Sequence, residues 1–155
     1  MAVKLFVSDL DGTMLPDGNV VSAENIAAVR RAVEAGGVVT IATGRMLRSA
    51  LYFTRQLASD APVICCNGGY VGHAEGDPVF AKYFDLDLVR EFLTFVYERN
   101  WYVNWYSGIE IYAPEYRADH FDAYRTTGNF VVTEVGNDYL RYTENVPQFV
   151  LRNLN

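Results

Sequence analysis

The chain has 155 residues, of which 50% are hydrophobic and 21% charged, and it carries a formal net charge of −6 with a pI near 4.8. This acidic balance excludes the basic surface that binding to nucleic acid or to an anionic membrane requires. The apolar runs are also shorter than the roughly 18 residues of a membrane-spanning helix. We therefore expect a globular, cytoplasmic protein with small-molecule partners, no nucleic acid and no membrane.

The first half of the chain alternates short apolar runs with helical patterns. The runs that predict strands are VKLFVS at 3–8, VVTIA at 38–42 and PVICC at 62–66. The first helix is predicted to begin at the N-cap Ser22, and the second to follow TGR at 43–45. Strands that alternate with helices predict a parallel, doubly wound α/β sheet with right-handed crossovers. The adjacent Cys65 and Cys66 are expected to be buried, reduced thiols.

The second half is rich in aromatic residues and has a different pattern. A hairpin is predicted from Tyr70 to Lys82. A helix follows, with an apolar face of Val89, Phe92, Leu93 and Val96. The strands WYVNWYS and IEIYAP come next. About half of their alternating aromatic side chains are expected to pack against the helix while the others face out, and core packing is favoured over a sugar-binding platform. We predict two domains, a core at residues 1–82 and an α+β unit at residues 83–155.

Polar residues follow each of the three strands of the first half. They are Asp9 and Asp11 after the first strand, Thr43 after the second and Asn67 after the third. In open parallel α/β sheets ligands bind beyond the carboxyl ends of the strands. The backbone amides of the turns at 11–13 and 43–45 are predicted to donate to an anion. Two carboxylates beside an anion site require a cation, and hard oxygen ligands together with phosphate favour magnesium (Mg²⁺).

These residue types suit the hydrolysis of a phosphate ester. A carboxylate can attack phosphorus to give an acyl phosphate, and a second carboxyl can protonate the leaving alcohol and then deprotonate water. A metal ion offsets the negative charge, while Thr43 and backbone amides hold the transferring oxygens. Each polar residue at the strand ends therefore has a predicted task.

The motifs DLDGT, ATGR and NGG, each after a strand, resemble those of the haloacid dehalogenase superfamily, in particular its Cof-like sugar-phosphatase branch. The resemblance implies a partial Rossmann-like parallel core sheet, the beginning of an α/β cap, and magnesium-dependent hydrolysis of a small, sugar phosphate-like monoester. It implies that Asp9 is the nucleophile and a metal ligand, that Asp11 is the general acid/base and a metal ligand through its backbone carbonyl, and that Thr43 binds the phosphoryl group. The positions implied to line the phosphate or substrate side are Gly12, Gly44, Arg45 and Asn67. The cap would choose the leaving group.

Two later motifs of that family, a lysine and an acidic GDxxND, have no recognisable counterpart in this sequence. We therefore expect the amino-terminal portion of a longer phosphatase, with a reduced relative as the alternative. In the family's sheet the first strand lies between the second and one from the missing part. KLFVSDL would then form an exposed apolar edge, which predicts a homo-oligomer or pairing through that edge. With Asp9 and Asp11 as the only metal acids, magnesium affinity and turnover should be low.

Other functions also fit part of the pattern. A non-catalytic phosphate-binding or interaction module would retain the front of the site without turnover. A phosphomutase would transfer the phosphoryl group to a sugar hydroxyl instead of water. A phosphoacceptor signalling domain and a glycosyltransferase also use clustered acids, but the placement of both acids on one strand, followed by TGR, favours neither.

Overall fold

The computed structural model describes residues 4–15, 20–125 and 131–152. They form two compact units that divide between Ala81 and Lys82. The assignment of the second unit as a cap stays a prediction. No helix in the described ranges is long and apolar enough to cross a membrane.

The first unit contains three strands that run in parallel and a hairpin that extends them. Its elements are β1 (Leu5–Ser8), α1 (Ala23–Glu34), β2 (Val38–Ile41), α2 (Leu47–Gln56), β3 (Val63–Cys65), β4 (Tyr70–Gly72) and β5 (Phe80–Ala81). Strands β1 and β2 pair in parallel, and a parallel bridge between Ala42 and Ile64 joins β2 to β3. The predicted α/β class with a parallel sheet is confirmed, and β4 and β5 form the predicted hairpin, with β4 antiparallel to both β3 and β5.

Local sequence determines where the helices of this unit begin and what they bury. The predicted N-cap is confirmed, because the Ser22 hydroxyl oxygen accepts a hydrogen bond from the Asn25 amide at 3.1 Å. Helix α2 buries Ala50 and Phe53 completely. The helix packs against β2 and β3.

Strand β1 is an edge strand among the described residues, since β2 is its strand partner there. Leu5, Phe6 and Val7 are 58%, 54% and 41% exposed. A groove of about 390 Å³ lies between β1 and α1, lined mainly by Phe6, Met14, Ala28, Val29, Ala32 and Val39. The exposed apolar edge expected from the sequence is therefore present in the described part of the chain, while pairing through it stays a prediction.

We expect Val7→Lys to weaken self-association of this chain. A charge on an exposed edge strand opposes the pairing of that edge with a second copy, so the dissociation constant should rise roughly tenfold or more. Sedimentation equilibrium measures the change. Val79→Lys is the matched control, because Val79 is also exposed but lies outside β1. Equal effects of the two substitutions, or a monomeric parent chain at every concentration, would contradict pairing through β1.

The second unit is a four-stranded sheet with helices. Its elements are α3 (Leu86–Glu98), β6 (Tyr102–Ser107), β7 (Glu110–Ala113), α4 (Ala118–Arg125), β8 (Val132–Glu134) and β9 (Gln148–Arg152). The strand order is β8-β7-β6-β9. Strand β6 pairs antiparallel with both β7 and β9, while β7 and β8 run in parallel.

The aromatic residues of the second unit mainly build its core. Val89, Leu93 and Val96 of α3 are fully buried, as the sequence predicted, and pack in one cluster with Val103 and Trp105 of β6. The Trp105 indole N–H donates to the Tyr142 carbonyl at 2.7 Å. Tyr102 and Tyr106 are also buried, and Trp101 and Tyr112 pack against the same cluster. Core packing of these side chains is thus confirmed over an exposed aromatic platform. The expectation that about half of them face out is wrong, because successive residues of β6 are buried and both faces of the strand are therefore covered.

Candidate active site

The loop after β1 is a tight turn that leaves two carboxylates at the surface. Leu10 and Leu15 anchor it, with 0% and 3% exposure, and the Leu15 amide donates to the Leu10 carbonyl at 2.8 Å. Gly12 has a φ of +78°, a conformation that glycine adopts without a steric penalty. Asp9 and Asp11 are both exposed. The buried leucines and the glycine therefore present the two acids on one short, fixed turn.

Asp9 lies directly beyond the end of β1. Its Oδ2 accepts a hydrogen bond of 3.4 Å from the Thr13 hydroxyl, four residues later. The sequence did not predict this role for the Thr13 side chain, although the threonine of the DGT motif could have indicated it. An exposed carboxylate that accepts from a neutral hydroxyl is suited to approach by an electrophile or a cation.

Asp11 is held by Arg45, the residue that begins the turn into α2. Arg45 Nη2 donates to Asp11 Oδ1 at 2.6 Å, and Nε donates to Oδ2 at 3.0 Å. The remaining terminal nitrogen, Nη1, donates to Ser49 Oγ at 3.3 Å, and the guanidinium carbon lies 4.9 Å from the centre of the Phe53 ring. The hydrogen bond from Arg45, together with its positive charge, holds the pKa of Asp11 below its usual value against the opposing effect of partial burial. Asp11 is therefore ionised at neutral pH.

The ends of β2 and β3 are joined directly to each other. Thr43 is buried, its amide donates to the Ile64 carbonyl at 3.0 Å, and its carbonyl accepts from the Asn67 amide at 3.2 Å. Asn67 has a φ of +53°, which asparagine tolerates better than most residues. A Cβ on Gly44 would come within 2.8 Å of Asn67 Oδ1, so only glycine fits here without a shift of Asn67. The structure thus brings together the strand ends that the sequence singled out.

Four of the backbone amides that the sequence assigned to an anion have acceptors within the chain, and for these four the prediction is wrong. The Gly12 and Thr13 amides donate to the carbonyls of Leu15 and Leu10, at 3.1 and 3.2 Å. The Thr43 amide donates to the Ile64 carbonyl of β3, and the Arg45 amide donates to Thr43 Oγ1 at 3.2 Å. These four amides complete the turns themselves. The Thr43 hydroxyl accepts from Arg45 and retains its own proton for donation.

The acids at the strand ends are the candidate donors for a metal ion. Within the described ranges no group of three or more His, Cys, Asp or Glu is placed to hold one. Magnesium takes one or two carboxylates and completes its shell with water and substrate oxygens. The Asp9 carboxylate is exposed, whereas that of Asp11 is bound to Arg45. This set fits a magnesium ion held through the Asp9 carboxylate and otherwise by neutral oxygens, such as those of backbone carbonyls, water and substrate, and it does not fit a cage of carboxylates.

The two cysteines lie beside the site but have no predicted role in it. Cys65 and Cys66 are free and buried, as the sequence predicted. The hydrogen bond with Cys66, together with burial, raises the pKa of the Cys65 thiol, which is therefore protonated at neutral pH.

The cytoplasmic location of the protein stays a prediction.

Comparison with known proteins gives the family. The family of haloacid dehalogenase-like hydrolases matches residues 6–154 of the chain. The chain belongs to the haloacid dehalogenase-like hydrolases. The resemblance read from DLDGT, ATGR and NGG is thereby confirmed, and the strand-end acids described above belong to a hydrolase of this family.

Named phosphatases are among the relatives of this haloacid dehalogenase-like chain. It is 34% identical over 115 residues to the 5-amino-6-(5-phospho-D-ribitylamino)uracil phosphatase YwtE of Bacillus subtilis, covering 72% of this chain and 38% of the relative. It is 41% identical over 71 residues to the pyridoxal phosphate phosphatase YbhA of Escherichia coli, covering 46% and 26%. A haloacid dehalogenase-like hydrolase from Bacteroides thetaiotaomicron superposes with a TM-score of 0.83 at 19% identity, covering 98% of this chain and 59% of that one. The chain thus spans less than two thirds of each of these proteins.

Proposed function

We propose that this chain carries the nucleophile side of a phosphatase site, which hydrolyses small phosphate monoesters through a phosphoaspartate at Asp9. The observation that carries the proposal is the exposed Asp9 carboxylate on a turn whose second acid, Asp11, is fixed by Arg45. The buried Thr43 hydroxyl at the next strand end adds a donor. Phosphatases among the relatives support this reaction class.

In the first step, an oxygen of Asp9 attacks the phosphorus atom of the ester. A bond forms between the carboxylate and phosphorus, and the bond from phosphorus to the ester oxygen breaks. The leaving alkoxide takes its proton from the protonated form of Asp11, which acts as the general acid in this step and which the ion pair with Arg45 makes the minor form at neutral pH. The Thr43 hydroxyl donates to a transferring oxygen, where negative charge is concentrated.

In the second step, water attacks the phosphorus atom of the acyl phosphate. Asp11, now ionised, takes the proton from that water, and the bond between Asp9 and phosphorus breaks to release orthophosphate. The ion pair with Arg45 favours the ionised form of Asp11 that this step requires. Asp9 returns to a free carboxylate, so that the cycle closes without another reactant.

A magnesium ion bound at Asp9 and at the backbone carbonyl of Asp11 would offset the negative charge of the phosphate and of the attacking carboxylate. The chain itself orients the two acids through the turn between Leu10 and Leu15. It also keeps the Asp11 carboxylate on Arg45. These protein residues would therefore determine the geometry of the bound ion's ligands.

The proposed substrate is a small, sugar phosphate-like monoester. The relatives are named for a phosphorylated ribitylaminouracil and for pyridoxal phosphate, which share a phosphate monoester on a compact polar body. We assign the choice among such substrates to the second unit, by its resemblance to the start of a cap.

Removal of the metal tests this function. We expect an aryl phosphate to be hydrolysed in the presence of magnesium, and the rate to fall roughly 100-fold or more after treatment with EDTA, because the charge of the phosphate is then uncompensated. Added magnesium should restore the rate. Hydrolysis that is indifferent to EDTA would contradict a magnesium-dependent reaction, while binding of orthophosphate without any turnover would support a phosphate-binding module instead.

A further inference from the structure

We propose that Arg45 is a positioning residue for Asp11 and does not bind the substrate phosphate. This inference rests on the proposed function and reassigns a residue that the sequence placed on the substrate side. If it is right, loss of Arg45 slows the chemical step and leaves phosphate binding intact.

The side chain of Arg45 is committed to partners within the chain. Its Nη2 and Nε bind the two carboxylate oxygens of Asp11, and Nη1 binds Ser49. Its planar group also lies over the Phe53 ring at 4.9 Å. The edge formed by Nε and Nη2, which could bind a phosphate through two parallel hydrogen bonds, is thus occupied by the carboxylate of Asp11.

Burial shows which partner of the ion pair is the fixed one. The side chain of Arg45 is 12% exposed, whereas that of Asp11 is 56% exposed. The residues that contact the arginine side chain are buried as well, since Ser49 and Phe53 are 1% and 0% exposed. Arg45 is therefore the rigid member, and it sets the position of the more exposed carboxylate.

The backbone of the same residue reaches the other two strand ends. Its amide donates to Thr43 Oγ1 at 3.2 Å, and its carbonyl accepts from the Cys66 amide at 2.9 Å. Arg45 thus connects the loop after β1, through its side chain, with the ends of β2 and β3, through its backbone. Arg45 therefore fixes the position of Asp11 relative to Thr43.

A positioning role and a phosphate-binding role of Arg45 predict different changes in kcat and KM. A group that orients the acid/base lowers kcat and leaves KM unchanged, whereas a ligand of the phosphate raises KM and weakens binding of orthophosphate. Lysine keeps the charge of arginine but not the fork that holds both carboxylate oxygens. Arg45→Lys should therefore restore little of the rate.

The experiment uses the full chain with Arg45→Met, Arg45→Lys and Ser49→Ala. Arg55→Met is the matched control, because Arg55 is an exposed arginine on the same helix. We expect Arg45→Met to lower kcat roughly 10- to 100-fold, with KM and the orthophosphate dissociation constant within about threefold of the parent. Ser49→Ala should lower kcat less and in the same direction, and it provides a test in a protein that retains the ion pair. Circular dichroism confirms folding.

A double-mutant cycle decides whether Arg45 acts through Asp11. In an Asp11→Asn background the further change Arg45→Met should leave the residual kcat unchanged, because the group that it positions is gone. Rises of tenfold or more in KM and in the orthophosphate dissociation constant would overturn the inference. If the parent chain shows no turnover, the proposed function fails, and the orthophosphate dissociation constants alone decide the role of Arg45. A parent chain that neither turns over nor binds orthophosphate overturns both.

Discussion

We expect Asp9→Asn to abolish the hydrolysis of phosphate monoesters by this chain. The amide has neither the charge nor the nucleophilicity of the carboxylate, so no bond to phosphorus forms, and the proposed magnesium ion would also lose its exposed anionic ligand. We expect kcat to fall roughly 1000-fold or more. The change is nearly isosteric and the side chain is exposed, so the fold and its melting temperature should be preserved.

The control for this prediction is Asp60→Asn. Asp60 is an exposed acid of the first unit that lies beyond the end of α2, so its loss removes the same charge from the same unit. Its turnover should match that of the parent chain within about twofold. A residual rate of Asp9→Asn above a tenth of the parent rate would show that another group attacks phosphorus.

Trp105→Ala should unfold or severely destabilise the second unit. Trp105 is completely buried in the cluster that joins α3 to β6, and its N–H holds the Tyr142 carbonyl. Truncation of a buried aromatic residue to alanine costs about 3–5 kcal/mol of unfolding free energy, from lost burial and from the cavity that remains. Urea unfolding followed by circular dichroism measures the loss, and hydrogen exchange should place it in β6 and β9.

Trp105→Phe separates packing from the hydrogen bond. The phenyl ring keeps most of the apolar contact and loses the N–H donor, so the cost should be smaller than that of alanine, with a hydrogen-bond contribution of about 0.5–1.5 kcal/mol. A loss below about 1 kcal/mol for Trp105→Ala would contradict the view that this indole is central to the core.

Periodicity in the sequence predicted most elements of the fold. The alternation of apolar runs and helical patterns in the first half gave the parallel strands, and the spacing of Val89, Leu93 and Val96 gave the buried face of α3. Strand partners were harder to predict, because pairing depends on residues far apart in the chain. The order β8-β7-β6-β9, with one parallel pair among antiparallel ones, has no local signal.

The candidate site was predictable to the extent that it depends on strand ends. Asp9, Asp11, Thr43 and Asn67 follow strands that the apolar pattern located, and the fold brings those ends together. The partner of Asp11 was not predictable, since Arg45 lies 34 positions away and no periodicity relates the two. The amides were assigned to an anion because their own acceptors, such as the Leu15 carbonyl, become visible only in the folded turn.

The measurement that tests the central claim most directly is the capture of the phosphoaspartate. The chain is mixed with a radiolabelled phosphate monoester and magnesium, quenched in acid during turnover, and digested. We expect the label on the peptide that contains Asp9, with release by hydroxylamine, as an acyl phosphate requires, and we expect no label in Asp9→Asn. Turnover without a labelled protein, or a label on another residue, would contradict Asp9 as the nucleophile.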